Sequence, residues 1–228
     1  MTDTCDDTVE RRRAAMLREI AAEAVATVRY TGRPAFDPRV MAALGRVPRH
    51  EFVPAAEQPL AYVNAPLAIG HGQTISQPYI VALMSDLLRV EPDHVVLEVG
   101  TGCGYQAAVL AELARRVYSV EVIPELAEAA AARLRRLGYD NVEVRAADGY
   151  QGWPEHAPYD GIIVTAAAPA VPPPLVAQLK AGGRLVIPVG TGYLGQDLMV
   201  LDKSAAGGAE TRSILPVAFV PLRRREPR

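Results

Sequence analysis

Residues 95–105 read Val-Val-Leu-Glu-Val-Gly-Thr-Gly-Cys-Gly-Tyr. A short apolar run ends in closely spaced glycines, and an alanine- and leucine-rich stretch follows directly. This order predicts a buried strand over His94–Val99, a glycine turn, and a helix over Tyr105–Arg116. In an open α/β sheet, ligands bind beyond the carboxyl ends of the strands, and glycines there let the backbone approach a ligand closely. The stretch therefore predicts a site for a nucleoside-containing ligand.

The alternation of strand and helix continues downstream of this turn. Apolar runs and amphipathic stretches predict strands Val117–Val122, Val142–Ala146, Gly161–Thr165 and Arg184–Val189, with helices Pro124–Leu137 and Pro174–Leu179. This order implies right-handed crossovers and a doubly wound, mostly parallel sheet of the α/β class. The last predicted strands, Asp197–Asp202 and Ile214–Val220, are joined by Lys203–Arg212, which has no room for a crossover helix. We therefore expect an antiparallel pair at the C-terminal edge of the sheet.

Upstream of the glycine turn the pattern is helical and then irregular. Apolar stripes and proline starts predict helices over Thr8–Val28, Pro38–Leu44 and Gln77–Leu88. Between the last two lies a proline-punctuated stretch, Val47–Gln73, with enough apolar residues to pack down as a cover. These patterns divide the chain into an N-terminal helical addition (1–46), a main domain (47–222) with a substrate-covering loop (47–77), and a basic tail (223–228).

The composition argues against several classes of protein. The 228 residues include 24 lysines and arginines and 26 aspartates and glutamates, for a net charge of −2. Duplex nucleic acid is held mainly by neutralising phosphates, so the missing basic excess argues against a nucleic-acid partner. No apolar run approaches the roughly 20 residues of a membrane span, and the polar N-terminus does not resemble a signal peptide. Histidines and cysteines lack metal-ligand spacing. We expect a cytoplasmic monomer with no membrane partner and no metal.

Details of the turn distinguish between nucleoside-containing ligands. The dinucleotide fingerprint is G-x-G-x-x-G, whereas this turn reads G-x-G-x-G and has Tyr105 at the third fingerprint position. Glu98 would repel a pyrophosphate but suits the cationic methionine portion of S-adenosylmethionine. Glu121, about 20 residues on, is placed to accept both ribose hydroxyls. Asp148-Gly149 follows the third strand, near the expected adenine edge. Acids at three successive strand ends predict a Rossmann-like class I S-adenosylmethionine methyltransferase, whose product is S-adenosylhomocysteine.

The segment after the fourth strand indicates which methyl acceptor the site suits. Enzymes that methylate base amino groups commonly place an Asn/Asp-Pro-Pro-aromatic sequence there, and metal-dependent enzymes place Asp and Asn ligands there. This chain has neither between Ile162 and Pro169. A carboxylate acceptor needs no base, because with a pKa of about 3.5–4 it is already ionised at neutral pH. The sequence therefore favours a peptide carboxylate as acceptor.

Residues 72–79, Gly-Gln-Thr-Ile-Ser-Gln-Pro-Tyr, resemble the signature of the protein-L-isoaspartate O-methyltransferases. The resemblance extends from about Val47 to Leu222 and includes 61–70, the glycine turn, Ala147-Asp-Gly149, 179–190 and Phe219-Val-Pro-Leu222. It implies transfer of a methyl group to the α-carboxylate of L-isoaspartyl residues in damaged peptides and proteins. The ester then closes to a succinimide, whose hydrolysis returns some normal aspartate.

The resemblance also assigns residues. Ser76 matches the active-site serine, whose hydroxyl would orient the acceptor carboxylate, and the last strand, ending Val220-Pro221-Leu222, looks like the edge that receives an extended peptide. The remaining matches are positions lining the site (Thr74, Ile75 and Tyr79) and cofactor-binding positions (Gly100, Gly102, Glu121, Asp148 and Gly149). From the glycine turn itself we also expect Glu98, Thr101 and Gly104 to bind the cofactor. One departure stands out, because Asn64 occupies a position where many relatives carry an acid.

Alternatives remain open at this point. Ser76 could serve only as the cap of the helix that begins at Gln77-Pro78. The substrate could be a chosen aspartate of a ribosomally made natural-product precursor. The chain could also be a non-catalytic nucleoside- or peptide-binding module, or, more remotely, a nicotinamide-dependent dehydrogenase.

Overall fold

The computed structural model describes residues 3–192 and 195–224. The chain begins with three helices, α1 (Asp3–Ala26), α2 (Val28–Thr31) and α3 (Pro38–Arg46). The apolar stripe of α1 is buried against the same core as the rest of the fold, with Met16, Ile20 and Ala24 at most 1% exposed. The predicted helix over Thr8–Val28 is therefore confirmed, and α1 ends two residues before the predicted end, at Ala26. The helix starting at Pro38 runs through Gly45, where the sequence predicted its end.

The stretch predicted as irregular contains ordered segments. Two 3₁₀ turns (Arg49–Phe52 and Ala55–Leu60) precede an antiparallel hairpin of β1 (Leu67–Gly70) and β2 (Gln73–Ile75). Strands of four and three residues are too short to give a readable alternation of apolar and polar residues, which is why the sequence missed them. Helix α4 (Pro78–Leu88) follows directly and is buried along nearly its whole length.

A seven-stranded sheet follows α4. Its strands are β3 (Val95–Val99), β4 (Arg116–Glu121), β5 (Val142–Ala146), β6 (Tyr159–Val164), β7 (Leu179–Gly190), β8 (Gln196–Lys203) and β9 (Ala209–Val217). Their order is β5-β4-β3-β6-β7-β8-β9, parallel from β5 to β7 and antiparallel from β7 to β9. The chain adds strands outward from β3 to β5 and then returns to place β6 beside β3. The carboxyl ends of β3 and β6 therefore flank the switch point where ligands bind in such sheets.

Helices cover both faces of this sheet. Side chains of the strands alternate between two cores: Val96 and Ile163 join the cluster containing α4, whereas Leu97 and Ile162 join the opposite cluster. Three helices connect the parallel strands, α5 (Tyr105–Ala111), α6 (Pro124–Arg136) and α7 (Pro173–Gln178). The doubly wound fold predicted from the sequence is confirmed. Helix α5 ends at Ala111, five residues before the predicted end at Arg116, where β4 already begins.

The C-terminal edge differs from the prediction. Strand β9 begins at Ala209 and ends at Val217, so residues 218–222 do not extend the last strand. The Gln196 side chain holds the Phe219 backbone at two points, accepting from its N–H (2.6 Å) and donating to its carbonyl (3.0 Å). The chain then crosses to the end of β6, where Pro221 forms a parallel bridge with Ala167. Placing Val220–Leu222 at the end of the last strand was therefore wrong.

Candidate active site

The glycine turn forms the floor of a cavity at the carboxyl ends of β3 and β4. Gly100 and Gly102 have φ of +96° and +53°, a backbone region that favours glycine. At Gly100 a Cβ would lie 2.5 Å from the Thr165 hydroxyl oxygen, because that hydroxyl donates to the Gly100 carbonyl (2.6 Å). The end of β6 thus approaches the turn so closely that only glycine fits. We call the space above this floor the inner cavity.

Eleven residues assigned from the sequence line this inner cavity: Thr74, Ile75, Ser76, Gly100, Thr101, Gly102, Glu121, Gly149, Val220, Pro221 and Leu222. They come from β2, the glycine turn, the end of β4, the residues after β5, and the C-terminal crossing segment. Residues more than 140 positions apart in the chain thus meet around one space. Tyr79, Glu98, Gly104 and Asp148 do not line it.

Glu121 ends β4 and lies in the wall of the inner cavity. One carboxylate oxygen accepts the Gly102 N–H (2.8 Å) and the other accepts the Ile123 N–H (3.0 Å). These bonds fix the orientation of the carboxylate, which is 6% exposed. An ionised carboxylate has about four lone-pair sites, so each oxygen can still accept a hydroxyl. This arrangement suits a bidentate partner such as the two hydroxyls of a ribose.

Glu98 lies beneath the glycine turn and is fully buried. Its Oε2 accepts the Ser119 hydroxyl, which is also 2.6 Å from the Thr101 hydroxyl. Its Oε1 has no hydrogen-bond partner among the described residues. Burial raises the pKa of Glu98 to about 8, the Ser119 hydrogen bond opposes this, and the charge of Glu121 adds to it. Glu98 therefore reaches the inner cavity only indirectly, through Ser119 and Thr101.

Asp148 and Gly149 have separate structural roles after β5. The Asp148 side chain accepts the Tyr150 N–H (2.9 Å) and so caps the short 3₁₀ turn at Gly149–Gln151. At Gly149 a Cβ would lie 2.5 Å from a methyl carbon of Val99, so this position needs glycine for close packing against β3. Gly149 lines the inner cavity, and Asp148 fixes its backbone.

Ser76 follows the hairpin and lies between the inner cavity and a second, more open groove. This outer groove runs between the start of α4 and residues 215–220, with Glu23 of α1 and Thr27, the residue after α1, in its wall. The residues that line both spaces are Thr74, Ser76, Thr165 and Val220. A molecule in the inner cavity and another in the outer groove would therefore meet beside the Ser76 hydroxyl.

The Ser76 hydroxyl does not cap α4. The helix begins at Pro78, its N-cap is Gln77, and that cap makes no side-chain hydrogen bond. Instead, the Asn64 Oδ1 accepts the N–H of Tyr79 (3.0 Å). The capping role considered for Ser76 is therefore wrong, and no hydrogen bond between described residues uses its hydroxyl.

A hydrogen-bond network ties this region to α1. The Glu23 carboxylate accepts from the Asn64 Nδ2 (2.7 Å) and from the Gln77 Nε2 (3.2 Å). Just after α1 ends, the Thr27 hydroxyl lies 2.7 Å from the Tyr79 hydroxyl. Helix α1 thus holds Asn64, which precedes the hairpin, and Gln77, which directly follows Ser76.

A buried arginine holds the hairpin from the other side. Arg49 is fully buried, and it donates to the carbonyls of Ala61 (2.8 Å) and Ser76 (2.8 Å). Its guanidinium lies over the Tyr105 ring, 4.7 Å from the ring centre. Burial lowers the pKa of Arg49 below its ordinary value, and Tyr105 opposes this shift. Arg49 therefore fixes the main chain of Ser76 while the side chain stays available.

Sequence analysis missed Arg49 and Glu23. A signal for Arg49 was present, since it is a charged residue in a stretch otherwise rich in apolar and proline residues that was expected to pack down. No such signal marked Glu23, because acids are ordinary on an amphipathic helix and only the fold brings α1 to residues 64 and 77.

Metal-ligand clusters and membrane-spanning helices are both absent from the part of the chain that the structure describes. No group of three or more His, Cys, Asp or Glu side chains there is placed to hold a metal ion. Within the same residues, no helix combines the length and apolar character needed to cross a lipid bilayer.

Comparison with known proteins places this geometry in a family. The protein-L-isoaspartate O-methyltransferase 2 of Polaromonas sp. (strain JS666) is 65% identical over 207 residues, covering 91% of this chain and 98% of that protein. The protein-L-isoaspartate O-methyltransferase 1 of Cupriavidus necator is 62% identical, covering 95% of this chain and 84% of the relative.

Solved structures agree in fold. One protein-L-isoaspartate O-methyltransferase superposes with a TM-score of 0.79 at 28% identity, covering 92% of this chain and 65% of its own. A Plasmodium falciparum chain crystallised with S-adenosyl-L-homocysteine gives 0.76 at 24% identity, covering 92% and 97%. The sequence model of the protein-L-isoaspartate(D-aspartate) O-methyltransferase family matches residues 22–227. This chain belongs to the protein-L-isoaspartate(D-aspartate) O-methyltransferase family.

Proposed function

We propose that this enzyme transfers a methyl group from S-adenosylmethionine to the α-carboxylate of L-isoaspartyl residues in damaged peptides and proteins, which starts their repair through a succinimide. The observation that carries the proposal is the junction at Ser76, where the inner cavity meets the outer groove. Donor and acceptor of a group transfer must lie in adjoining spaces with their reacting atoms in line. The two spaces adjoin here and share Ser76 in their lining, which supports such an arrangement.

The residues of the inner cavity fit S-adenosylmethionine. The glycine turn lets the backbone approach the cofactor, Glu121 would hold the ribose hydroxyls, and Gly149 would face the adenine. When bound, the cofactor supplies a methyl group on a cationic sulfur. Glu98, expected from the sequence at the cationic methionine end, lies behind Thr101, and we propose that it acts on the cofactor only by holding Thr101 through Ser119.

The chain's own residues have little proton chemistry to perform, because the acceptor carboxylate is already ionised at neutral pH. Ser76 would donate a hydrogen bond to one acceptor oxygen and thereby aim the other at the methyl group. Arg49 holds the Ser76 main chain for this purpose. The hairpin and the crossing segment cover the junction, and exclusion of water favours reaction between a cation and an anion.

The crossing segment offers one main-chain acceptor for an extended peptide. The Ala167 N–H donates to the Val220 carbonyl (2.8 Å), and the Leu222 N–H donates to the Ala167 carbonyl (2.7 Å). Carbonyls of successive residues in an extended chain point to opposite sides, so the Pro221 carbonyl faces away from Ala167. We assign that carbonyl to a substrate N–H; proline offers no N–H for a second bond.

The expectations of a monomer, of a cytoplasmic location and of no nucleic-acid partner stay predictions, as does the division at residues 46 and 47. Neither the dedicated precursor peptide nor the non-catalytic module gains a specific observation in its favour.

Radiolabelled S-adenosylmethionine offered with matched L-isoaspartyl, L-aspartyl and D-aspartyl peptides tests the proposal. We expect base-labile label on the isoaspartyl peptide far above the aspartyl one, and equal labelling of the two would refute the assignment. In the same assay, Ser76→Ala should lower turnover while calorimetry shows cofactor affinity within about twofold of wild type, a change of about 0.4 kcal/mol, because the hydroxyl is assigned to the acceptor carboxylate. Loss of cofactor binding in this variant would mean that Ser76 serves the cofactor.

A further inference from the structure

Four arginines line a cavity at the C-terminal end of α4. They are Arg33, Arg89, Arg184 and Arg212, and the other lining residues are Thr31, Gly32, Leu87 and Asp202. The arginines come from four separate segments: the loop after α2, the residue after α4, β7 and β9. Helix α4 has 11 residues, so its length of about 16 Å separates this cavity from Ser76. None of the four lines the inner cavity or the outer groove.

Backbone geometry directs these arginines to one place. Arg184 pairs with Asp202 across β7 and β8, and Arg212 pairs with Val200 across β8 and β9. Residues two apart on a strand share a face, so Arg184, Asp202 and Arg212 lie on the same side of the sheet. The Arg184 Nη1 also donates to the Leu87 carbonyl (2.9 Å), which joins this face to the end of α4.

The cluster carries more positive than negative charge. Arg33 is paired with Asp86 (2.5 Å), and Arg184 is paired with Asp202 (2.5 Å). Arg89 and Arg212 have no ion-pair partner among the described residues. Both paired arginines use only part of their five N–H donors on these acids. Two net positive charges and several free N–H groups are therefore available at one cavity.

The like charges of the four guanidinium groups repel one another, and the two arginines without a described acid partner, Arg89 and Arg212, are exposed to solvent. Partial burial lowers the pKa of Arg212 below its ordinary value, and the charges of Arg184, Arg89 and Arg33 lower it further against the opposing effect of Asp202. Guanidinium groups match the oxygens of phosphate in paired hydrogen bonds, and they do so more strongly than neutral donors. A doubly charged anion would also cancel the excess charge.

We propose that this cavity binds a tetrahedral dianion of the phosphate type, either free phosphate or the terminal phosphate of a larger molecule. Arg89 and Arg212 would bind it directly, and Arg33 and Arg184 would contribute their remaining N–H groups. The site is separate from the methyl-transfer site, so its failure and the failure of the proposed function are distinguishable.

The test uses calorimetric titration of the full-length protein with inorganic phosphate and with phenyl phosphate, at an ionic strength held constant with sodium chloride. We expect saturable binding of at least one of them, and the ratio of the two affinities distinguishes free phosphate from a phosphate ester. In Arg212→Gln and in Arg89→Gln the dissociation constant should rise at least about tenfold, the loss of one charge-assisted contact. Arg135→Gln removes an exposed arginine on α6 as the matched control and should bind as wild type does.

Thermal melting gives a second readout that does not depend on measurable heat. Low-millimolar phosphate should raise the melting temperature of wild type and of Arg135→Gln, but not that of Arg212→Gln. Low concentrations matter, because concentrated phosphate stabilises any folded protein by exclusion from its surface. Methyl transfer to an isoaspartyl peptide should stay unchanged in Arg212→Gln. Equal effects of phosphate and chloride at equal ionic strength, or a phosphate response retained in Arg212→Gln, would overturn the proposal.

Discussion

Two substitutions, Asn64→Asp and Glu23→Gln, together exchange the amide and the carboxylate of this pair. They test whether α1 positions the active site. In the native chain the Asn64 Nδ2 donates to the Glu23 carboxylate (2.7 Å), while its Oδ1 accepts the Tyr79 N–H (3.0 Å). Asn64→Asp keeps the acceptor for Tyr79 but removes the donor and places a second carboxylate against the first. Glu23→Gln in that background restores one donor and one acceptor facing each other, with the total charge of the wild type.

The magnitudes follow from these contacts. Loss of the charge-assisted hydrogen bond removes about 1.5–3 kcal/mol. Two carboxylates about 4 Å apart at a partly buried site repel by up to about 4 kcal/mol, unless one of them binds a proton. Asn64→Asp should therefore destabilise the region by about 2–5 kcal/mol, and Glu23→Gln alone should destabilise it by about 1–2 kcal/mol. In the double variant most of the repulsion disappears, which predicts a favourable coupling energy of about 2 kcal/mol or more.

Steady-state kinetics with an isoaspartyl peptide, together with urea unfolding, measure this cycle. Asn64→Asp should lower kcat/KM for the peptide by at least about tenfold, since a loss of about 1.4 kcal/mol of transition-state stabilisation is sufficient for that decrease. The KM for the cofactor should change little, because neither residue lines the inner cavity. The double variant should recover to within about threefold of wild type. Glu19→Gln, an exposed acid one turn earlier on α1, is the control. Additive losses in the double variant, or equal losses in Glu19→Gln, would refute the reasoning.

Three further predictions concern buried positions. The pKa of Glu98, raised from 4.5 to about 8, means that the folded protein keeps a proton that the unfolded chain releases between these values. Stability should therefore fall as pH rises from about 5 to 8, by a few kcal/mol, and urea unfolding of Glu98→Gln should show a flatter dependence. Gly100→Ala should weaken cofactor binding in calorimetry and lower the melting temperature, whereas Gly138→Ala, with φ +83° but open space around it, should cost only about 1–2 kcal/mol. Arg49→Ala should destabilise the protein by about 3–5 kcal/mol in urea unfolding by leaving buried carbonyls without donors, against less than about 1 kcal/mol for Arg46→Ala, which breaks a surface ion pair.

Contradictory outcomes for these three are equally specific. A pH dependence of stability that is the same in wild type and Glu98→Gln would mean that the carboxyl is already ionised in the folded protein. Equal losses at Gly100 and Gly138 would assign the effect to backbone conformation alone. A mild effect of Arg49→Ala would show that water replaces the guanidinium.

The parallel part of the fold could be predicted because each element carries its own signal. The run Val95–Val99 is apolar and ends in glycine, and the stripe of Met16, Ile20 and Ala24 has the helical period. Both patterns report burial on a face, which depends only on local spacing. The same logic identified Glu121, since the end of a second parallel strand lies beside the first.

Contacts that depend on distant segments could not be predicted in this way. The end of β9 at Val217 is set by Gln196, whose side chain binds the Phe219 backbone from a neighbouring strand. Glu98 has the spacing of a ligand-binding acid, but its burial beneath the glycine turn depends on Ser119 of the adjacent strand. Sequence spacing locates an acid at a strand end, and it does not say on which side of the turn the side chain lies.

The position of α1 bears on how the active site is assembled. Its apolar stripe packs into the common core, and its Glu23 side chain binds Asn64 and Gln77, which lie on either side of the hairpin. Because Asn64 caps α4 through Tyr79, the hydroxyl of Ser76 is left out of the capping hydrogen bonds that a serine before a helix usually makes. A serine that capped its own helix would have its oxygen committed to a backbone N–H and would be less able to bind a carboxylate. The N-terminal helix supports this alternative cap, because Glu23 holds the Asn64 side chain that accepts the Tyr79 N–H.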